Sequence, residues 1–89
     1  MNLENLNTHR IDLAKPLLLI MAERGVLACS YLNIETFNKT SEACAIVTGV
    51  ANYEEMLVAP VTAVSKVATE MGVAVGDTGA EALKKMGTV

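Results

Sequence analysis

The sequence predicts an α+β fold, a two-layer α/β sandwich in which helices cover one face of a small mixed β-sheet. Strand-like apolar runs lie mostly before residue 50, whereas helical patterns dominate the second half. Hydrophobic residues make up 52% of only 89 residues, which is more than the interior of so small a domain can hold. We therefore expect a single domain over residues 1–89, with part of its apolar surface covered by another subunit.

The N-terminal half is expected to contain a β-hairpin. Residues 1–9 are polar and asparagine-rich, and we interpret them as ragged or dependent on a partner. Residues 10–22 form an extended segment, in which Pro16 marks the beginning of the strand or an edge position, because proline cannot donate to a ladder. A tight turn at residues 23–25 then leads into a returning strand over residues 26–32.

Both strands of this hairpin are apolar on both faces, which predicts a sheet covered on two sides. One face of the returning strand carries Leu27, Cys29 and Tyr31, and the other carries Val26, Ala28 and Leu32. A strand with one solvated face would alternate apolar and polar residues. With helices on one face only, the simplest cover for the other is a second copy, so we expect a homo-oligomer that associates through the sheet.

The middle of the chain predicts two short helices around a third strand. Asn33 is a good N-cap for a helix that runs to about Ser41. Residues 43–50 then form a buried strand that is β-branched toward its end. A capping box of Asn52 and Glu55 begins the next short helix.

The C-terminal part predicts two further helices. Pro60 suits the first turn of a longer helix, which Gly72 ends in a left-handed C-cap. The apolar stripe of this helix comprises Val61, Val64, Ala68 and Met71. A turn at residues 76–79 precedes the final helix, for which Thr78 and Glu81 form a capping box. The predicted order is β-β-α-β-α-α-α, with room for one more short strand at either end.

Composition excludes several classes of protein. A net charge of -3 and an aromatic content of 3% argue against nucleic-acid binding, which needs basic and stacking side chains. No run approaches the about 20 apolar residues of a membrane span. Residues 16–22 make a poor signal peptide, because acidic residues precede them and Glu23 follows them. The expected compartment is the cytoplasm, where Cys29 and Cys44 would be reduced thiols rather than a disulfide.

Three segments carry a resemblance to a known family. They read GVLACSYLNIETFN, AIVTGVANYEEMLVAPVTAVSKVATEMGV and VGDTGAEALKKM. The resemblance as a whole covers nearly the entire chain from about Arg10. The chain resembles the YunC-like proteins, a small bacterial and archaeal family of unknown function. The resemblance implies a two-layer α/β sandwich and a β-rich N-terminal region used for tetramer assembly. Glycine usually follows the strand cysteine in that family, where this chain has Ser30.

Cys29 is the first candidate for chemistry. A nucleophilic cysteine needs a base or cation nearby and access to solvent. His9, the single histidine, is a possible base, and Asn33 is a polar neighbour four residues after Cys29. We favour the interpretation that Cys29 only packs, because free cysteine serves well as a small buried hydrophobe.

Other candidate sites are weaker. One histidine and two cysteines fifteen residues apart do not form a metal-binding motif, so neither a metal nor a cofactor is expected. The backbone around Gly76, Thr78 and Gly79 precedes a helix and could bind an anionic ligand. We favour plain helix capping as the explanation of this loop, because Thr78 is already used in the capping box and Asp77 repels anions.

Two functional hypotheses remain. The first is a non-catalytic oligomeric module that binds a partner protein or a small ligand at subunit junctions. The second is a small thiol-dependent enzyme with Cys29 as nucleophile, His9 as base and Asn33 as polar neighbour. We favour the first, because a nucleophile without a secure base and orienting group is an incomplete catalytic constellation.

Overall fold

A mixed five-stranded sheet forms the centre of the molecule. A computed structural model of the chain describes residues 6–87. Its elements are β1 (Asn7–Asp12), β2 (Pro16–Met21), β3 (Val26–Cys29), α1 (Ile34–Thr40), β4 (Cys44–Val47), α2 (Tyr53–Val58), β5 (Val61–Val64), α3 (Lys66–Glu70) and α4 (Gly79–Lys85). The strands follow each other across the sheet in chain order, and only the β3–β4 pair is parallel. The predicted α+β class is confirmed.

The larger core lies on the face of the sheet that we call the first face. There, fully buried side chains of the sheet pack against fully buried side chains of α2 and α4 and against Met86, which follows α4. They include Leu18, Ile20, Leu27, Val47, Met56, Leu83 and Met86. Ala68 of α3 belongs to the same cluster. Three helices therefore form the helical layer of the predicted sandwich.

The opposite face, the second face, is covered in part by α1. The odd and even residues of β3 and β4 point to opposite sides, so a smaller cluster forms behind the sheet. It comprises Val26, Ala28, Cys44 and Ile46, with Ile34 and Phe37 of α1 packed against it. The expectation that this face has no cover of its own is wrong, because α1 covers part of it. This helix is the crossover that the parallel strands β3 and β4 require.

The N-terminal strand β1 corrects the interpretation of residues 7–9 as ragged. It pairs antiparallel with β2 along its full length, from Asn7 opposite Met21 to Asp12 opposite Pro16. Its polar sequence reflects an exposed edge strand that is held by backbone hydrogen bonds rather than by burial. Residues 1–5 lie outside the described residues. Pro16 begins β2, as predicted.

The predicted long helix from Pro60 to Met71 is wrong. The chain forms the strand β5, then turns at the buried Ser65 into the short helix α3. Within β5, the pairing with β4 shifts by one residue: Val61 lies opposite Val47, whereas Ala63 lies opposite Ile46. The extra residue is Thr62, and because of it Val61 and Val64 both face the first-face core although they are three positions apart. The apolar residues of this bulged strand therefore have the spacing that is typical of a helix.

Ser65 holds the junction between β5 and α3 to the sheet. Its hydroxyl oxygen accepts hydrogen bonds from the backbone N–H of Cys44, at 2.9 Å, and of Ala68, at 3.3 Å. It is fully buried and it is the N-cap of α3. One hydroxyl therefore caps a helix and extends the contact with β4, which a continuous helix through this segment would not allow.

The approach of α4 to α2 requires a glycine. A Cβ atom on Gly79 would overlap the backbone carbonyl of Met56, and Gly79 itself is buried. Its N–H donates to the carbonyl of Ala59, at 3.0 Å, which fixes the start of α4 against the end of α2. The two helices can pack this closely only because residue 79 has no side chain.

Gly79→Ala is expected to lower the free energy of unfolding by about 3 kcal/mol, since the overlap involves a fixed carbonyl. Gly72→Ala is the matched control, because Gly72 has a φ of +93° but lies in open surroundings. This substitution should lower the free energy of unfolding by only about 1 kcal/mol, through backbone strain. Urea unfolding measures both values. Equal losses for the two variants would contradict the close packing of α2 and α4.

Candidate functional site

A cavity lies at the edge of the sheet where the parallel strands β3 and β4 end. We call it the strand-end cavity, and its volume is about 310 Å³. Its lining residues come from the β1–β2 turn, the turn after β3 and the loop after β4: Lys15, Pro16, Cys29, Ser30, Tyr31, Gly49, Val50 and Ala51. The carboxyl ends of parallel strands are a common location for ligand sites, because the loops that leave them diverge there.

The first side of the cavity is formed by two turns that are joined by a hydrogen bond. Strand β3 ends at Cys29, three residues earlier than predicted, and the backbone N–H of Leu32 closes a turn onto the Cys29 carbonyl at 3.2 Å. The hydroxyl oxygen of Tyr31 accepts from the backbone N–H of Lys15, at 3.2 Å. This bond holds the β1–β2 turn, and with it Lys15, beside the end of β3.

The loop after β4 forms the other side. Gly49 has a φ of +70°, and no atom lies within 4 Å of the position that a side chain would take there. The N–H of Ala51 donates to a carboxylate oxygen of Glu55, at 2.7 Å. Within residues 6–87, no acceptor receives a hydrogen bond from the N–H of Gly49 or Val50. These two amides are left for water or a ligand.

Cys29 lies where this cavity meets the core. It is only 4% exposed and belongs to the first-face core, yet it also lines the cavity. Its sulfur accepts a hydrogen bond from the backbone N–H of Leu18, at 3.3 Å. The thiol therefore packs as a small hydrophobe and forms part of the cavity wall.

The structure does not bring the three predicted catalytic residues together within one chain. His9 lies opposite Leu19, which in turn lies opposite Ala28, so all three point to the second face. Cys29 points to the first face, because neighbouring residues of a strand alternate. Asn33 is an exposed N-cap, whose side-chain oxygen accepts from the N–H of Glu35 at 2.8 Å.

The residues that do accompany Cys29 were missed by the sequence prediction. Lys15, Tyr31 and the loop at residues 49–51 come from three separate stretches of the chain. No local motif links them, since they meet only when the β1–β2 turn folds over the end of β3. The only available signal was that Cys29 lies at the end of one buried strand and Gly49 follows another.

Cys44 has a purely structural position. It is fully buried at the beginning of β4, and burial, followed by the nearby charge of Glu42, raises the pKa of its thiol to about 12. Cys29 lies at the end of β3, opposite Val47 rather than Cys44. The disulfide alternative is therefore wrong, because parallel pairing places the two cysteines at opposite ends of their strands, and both are free thiols.

The loop over residues 76–79 is engaged in capping. The N–H groups of Gly76 and Gly79 donate to the carbonyls of Val61 and Ala59, at 2.9 and 3.0 Å. The N–H of Thr78 donates to the carboxylate of Glu81, and the Thr78 hydroxyl accepts in return, so the predicted capping box is confirmed. These bonds argue against the ligand-binding alternative for Gly76, Thr78 and Gly79, because its donors are already used.

Two further features concern membranes and metals. No helix among residues 6–87 combines the length and the apolar character that crossing a membrane would require. In the same residues, no three histidine, cysteine, aspartate or glutamate side chains lie close enough together to hold a metal ion.

The fold and the cavity define a small α+β protein with a cavity at the ends of its parallel strands. Residues 28–86 match the model of the family described as domain of unknown function DUF1805, and the chain belongs to this family. The resemblance to the YunC-like proteins is thereby confirmed, since they form the same family. The β1–β2 hairpin and Lys15 lie outside the matched residues.

One solved structure shows how far the similarity extends. The chain is similar to a protein of unknown function, TA1206 from Thermoplasma acidophilum, with 29% sequence identity and a TM-score of 0.79. The match covers 92% of this chain and 93% of the other, so it includes the N-terminal hairpin as well as the sandwich. No curated protein matches the chain.

The cap of α4 is expected to lose stability in acid. Two hydrogen bonds with Thr78 lower the pKa of Glu81 below its usual 4.5: the bond from the backbone N–H has the larger effect, and the bond with the side chain has the smaller one. A lowered pKa in the folded state stabilises the protein above the unfolded pKa, and this contribution is lost as the pH falls through the folded value. Glu81→Gln should therefore lose less stability than the unsubstituted protein between about pH 7 and pH 3.

Urea midpoints at several pH values test this prediction. Glu70→Gln is the control, because Glu70 is an exposed residue of α3 that forms no side-chain hydrogen bond within the described residues. It should keep the pH dependence of the unsubstituted protein. The prediction is wrong if Glu81→Gln and Glu70→Gln respond to acid in the same way.

The two thiols are expected to differ in alkylation. At about pH 8, a pKa of about 12 leaves roughly one Cys44 side chain in ten thousand as the reactive thiolate. Cys29 borders the cavity, so a small alkylating reagent should modify Cys29 in the folded protein and reach Cys44 only after unfolding. Mass spectrometry locates the label, and Cys29→Ser isolates Cys44. Equal rates at the two sites would contradict the assigned positions.

Proposed function

We propose that the chain is a non-catalytic subunit of a homo-oligomer, either a dimer or a tetramer, that binds a small ligand in the strand-end cavity near a subunit junction. The single observation that carries this proposal is that the β1–β2 hairpin contributes both to the cavity, through Lys15, and to an uncovered apolar surface.

The uncovered surface supports association. The second face of β1 and β2 lies beyond α1, and its large apolar side chains are exposed or half-buried: Ile11, Leu19 and Met21. Ile11 is 55% exposed, and Leu13 in the adjacent turn is 51% exposed. A group of exposed apolar side chains on a small domain commonly marks an interaction surface.

The edge of the sheet is suited to pairing with a second copy. Strand β1 has six residues, and its outer edge pairs with no other strand among the described residues. If two copies paired antiparallel about Ile11, the two Ile11 side chains would lie opposite each other. Arg10 of each copy would then lie opposite Asp12 of the other. Strand pairing of this kind places opposite charges in favourable cross-strand positions.

The cavity supports small-ligand binding rather than a structural gap. Its volume, about 310 Å³, is at the lower end of the range for small-molecule sites. Its lining combines the apolar Pro16 and Val50 with a lysine and with two backbone amides that have no acceptor in the described part of the chain. Because Leu13 and Lys15 share one turn, a subunit that covers Leu13 would lie close to the cavity mouth.

The alternative, a thiol-dependent enzyme, has one supporting observation. Cys29 lines the same cavity as Lys15, so a nucleophile and a cation share one site. The histidine of the same chain points to the opposite face, which leaves the thiol without a base from its own subunit. We therefore favour binding over catalysis. Alkylation of Cys29 faster than that of a free peptide thiol would instead favour the enzyme.

The cytoplasm is the compartment that we propose. Both cysteines are free and buried, and their positions on β3 and β4 do not permit a disulfide between them. Such thiols persist in a reducing compartment without competing oxidation.

Sedimentation tests the proposed oligomer. The unsubstituted protein should sediment as a dimer or tetramer at micromolar concentration, and Ile11→Glu should shift it toward the monomer, because a charge would be buried in the interface. Val75→Glu is the matched control, since Val75 is 63% exposed and adjoins Gly76, which bonds to β5 at the far edge of the sheet. A monomeric unsubstituted protein would overturn the proposal.

A further inference from the structure

The geometry points to a small organic anion, a carboxylate or a phosphate ester, as the ligand of the strand-end cavity. Its oxyanion would accept hydrogen bonds from the backbone N–H groups of Gly49 and Val50 and pair with the ammonium group of Lys15. This inference rests on the proposed function, because it names the class of ligand for the same cavity.

The charge of the lining favours an anion. Among residues 6–87, Lys15 is the only residue of the lining with a formal charge at neutral pH. Arg10 and Asp12, in the strand that leads into the same turn, form an exposed ion pair at 2.8 Å and largely cancel each other. A cationic ligand would find no carboxylate among the lining side chains that the structure describes.

The loop after β4 already holds one oxyanion of the chain itself. Its fourth residue, Ala51, donates its N–H to the carboxylate of Glu55 at 2.7 Å. The preceding amides, on Gly49 and Val50, have no acceptor among residues 6–87. The negative charge of Glu55 is held at the Ala51 end of this loop, whereas Lys15 comes from the opposite wall. An anion between the two walls would be bound by both.

The first turn of α2 does not contribute to this site, because none of its residues lines the cavity. The N–H of Glu55 is occupied by the side-chain oxygen of Asn52, at 2.8 Å. The donors of the site are therefore loop amides that precede the cap, and their exposure depends on Gly49. Its positive φ and empty surrounding leave room for a ligand atom where other residues would have a Cβ.

The remaining walls set the size and the body of the ligand. Pro16, Val50 and the ring of Tyr31 are apolar, and Cys29 contributes a neutral sulfur. A space of about 310 Å³ suits a compact molecule with an oxyanion head and a short apolar body. The lining thus matches a short-chain carboxylate or a small phosphate ester better than a bare inorganic ion.

A titration followed by amide NMR spectra tests the inference on the oligomeric full chain. Four probes are used: butyrate, inorganic phosphate, and butylamine and butanol as matched cationic and neutral controls. Butyrate should shift the Gly49 and Val50 amide signals with saturation, whereas butylamine should not. If phosphate also shifts these signals to saturation, the oxyanion head dominates binding. If only butyrate does so, the apolar body of the ligand is required as well. Both results support an anion site.

Substitutions locate the bound anion. Lys15→Met should weaken butyrate binding by about tenfold or more, because it removes the charge but keeps most of the chain length. Lys39→Met, at an exposed position on α1, is the control and should bind as the unsubstituted protein does. Gly49→Asn should also weaken binding, since asparagine tolerates positive φ but fills the open space.

Two outcomes overturn the inference, and they differ in what they say about the proposed function. If butanol or butylamine shifts the Gly49 and Val50 signals as strongly as butyrate, the cavity binds ligands but is not an anion site. If none of the four probes shifts these signals, the small-ligand cavity itself is refuted together with the anion. Sedimentation then decides separately whether the oligomer remains.

Discussion

The parallel ladder between β3 and β4 determines the rest of the structure. All eight residues of Val26–Cys29 and Cys44–Val47 are buried, so this strand pair needs a layer of side chains on each face. A parallel pair also needs a crossover, and α1 serves as the crossover and as the cover of the second face. Because both strands run in one direction, their ends and the loops that follow them meet at one edge, where the cavity forms.

The shortness of the chain explains the uncovered surface. The helix α1 has seven residues and contacts mainly β4, so its cover does not extend across β2 to β1. The two N-terminal strands add width to the sheet without adding a layer behind it. Their large apolar side chains on the second face, such as Ile11 and Met21, therefore remain exposed in the single chain. The excess of hydrophobic residues in the sequence therefore comes from these two strands.

Features that depend on local interactions could be predicted from the sequence. The caps at Asn33, Asn52 and Thr78 need only residues two or three positions away, and all three form. Strand β5 could not be predicted, because the residue added at Thr62 gives its valines helical spacing and because pairing with β4 decides the outcome. The cavity could not be predicted either, since Lys15 and Tyr31 meet only through long-range pairing of the β1–β2 turn.

Cys29 shows why a residue type alone does not define a site. As part of β3 it must fill the first-face core, and as the last residue of the strand it also reaches the cavity. Sulfur meets both demands, because it packs as an apolar atom while accepting a hydrogen bond from Leu18. The same pleat that turns Cys29 inward turns His9 to the other face. In the ligand site that we propose, recognition therefore depends on charge and backbone amides, with the thiol as part of the wall.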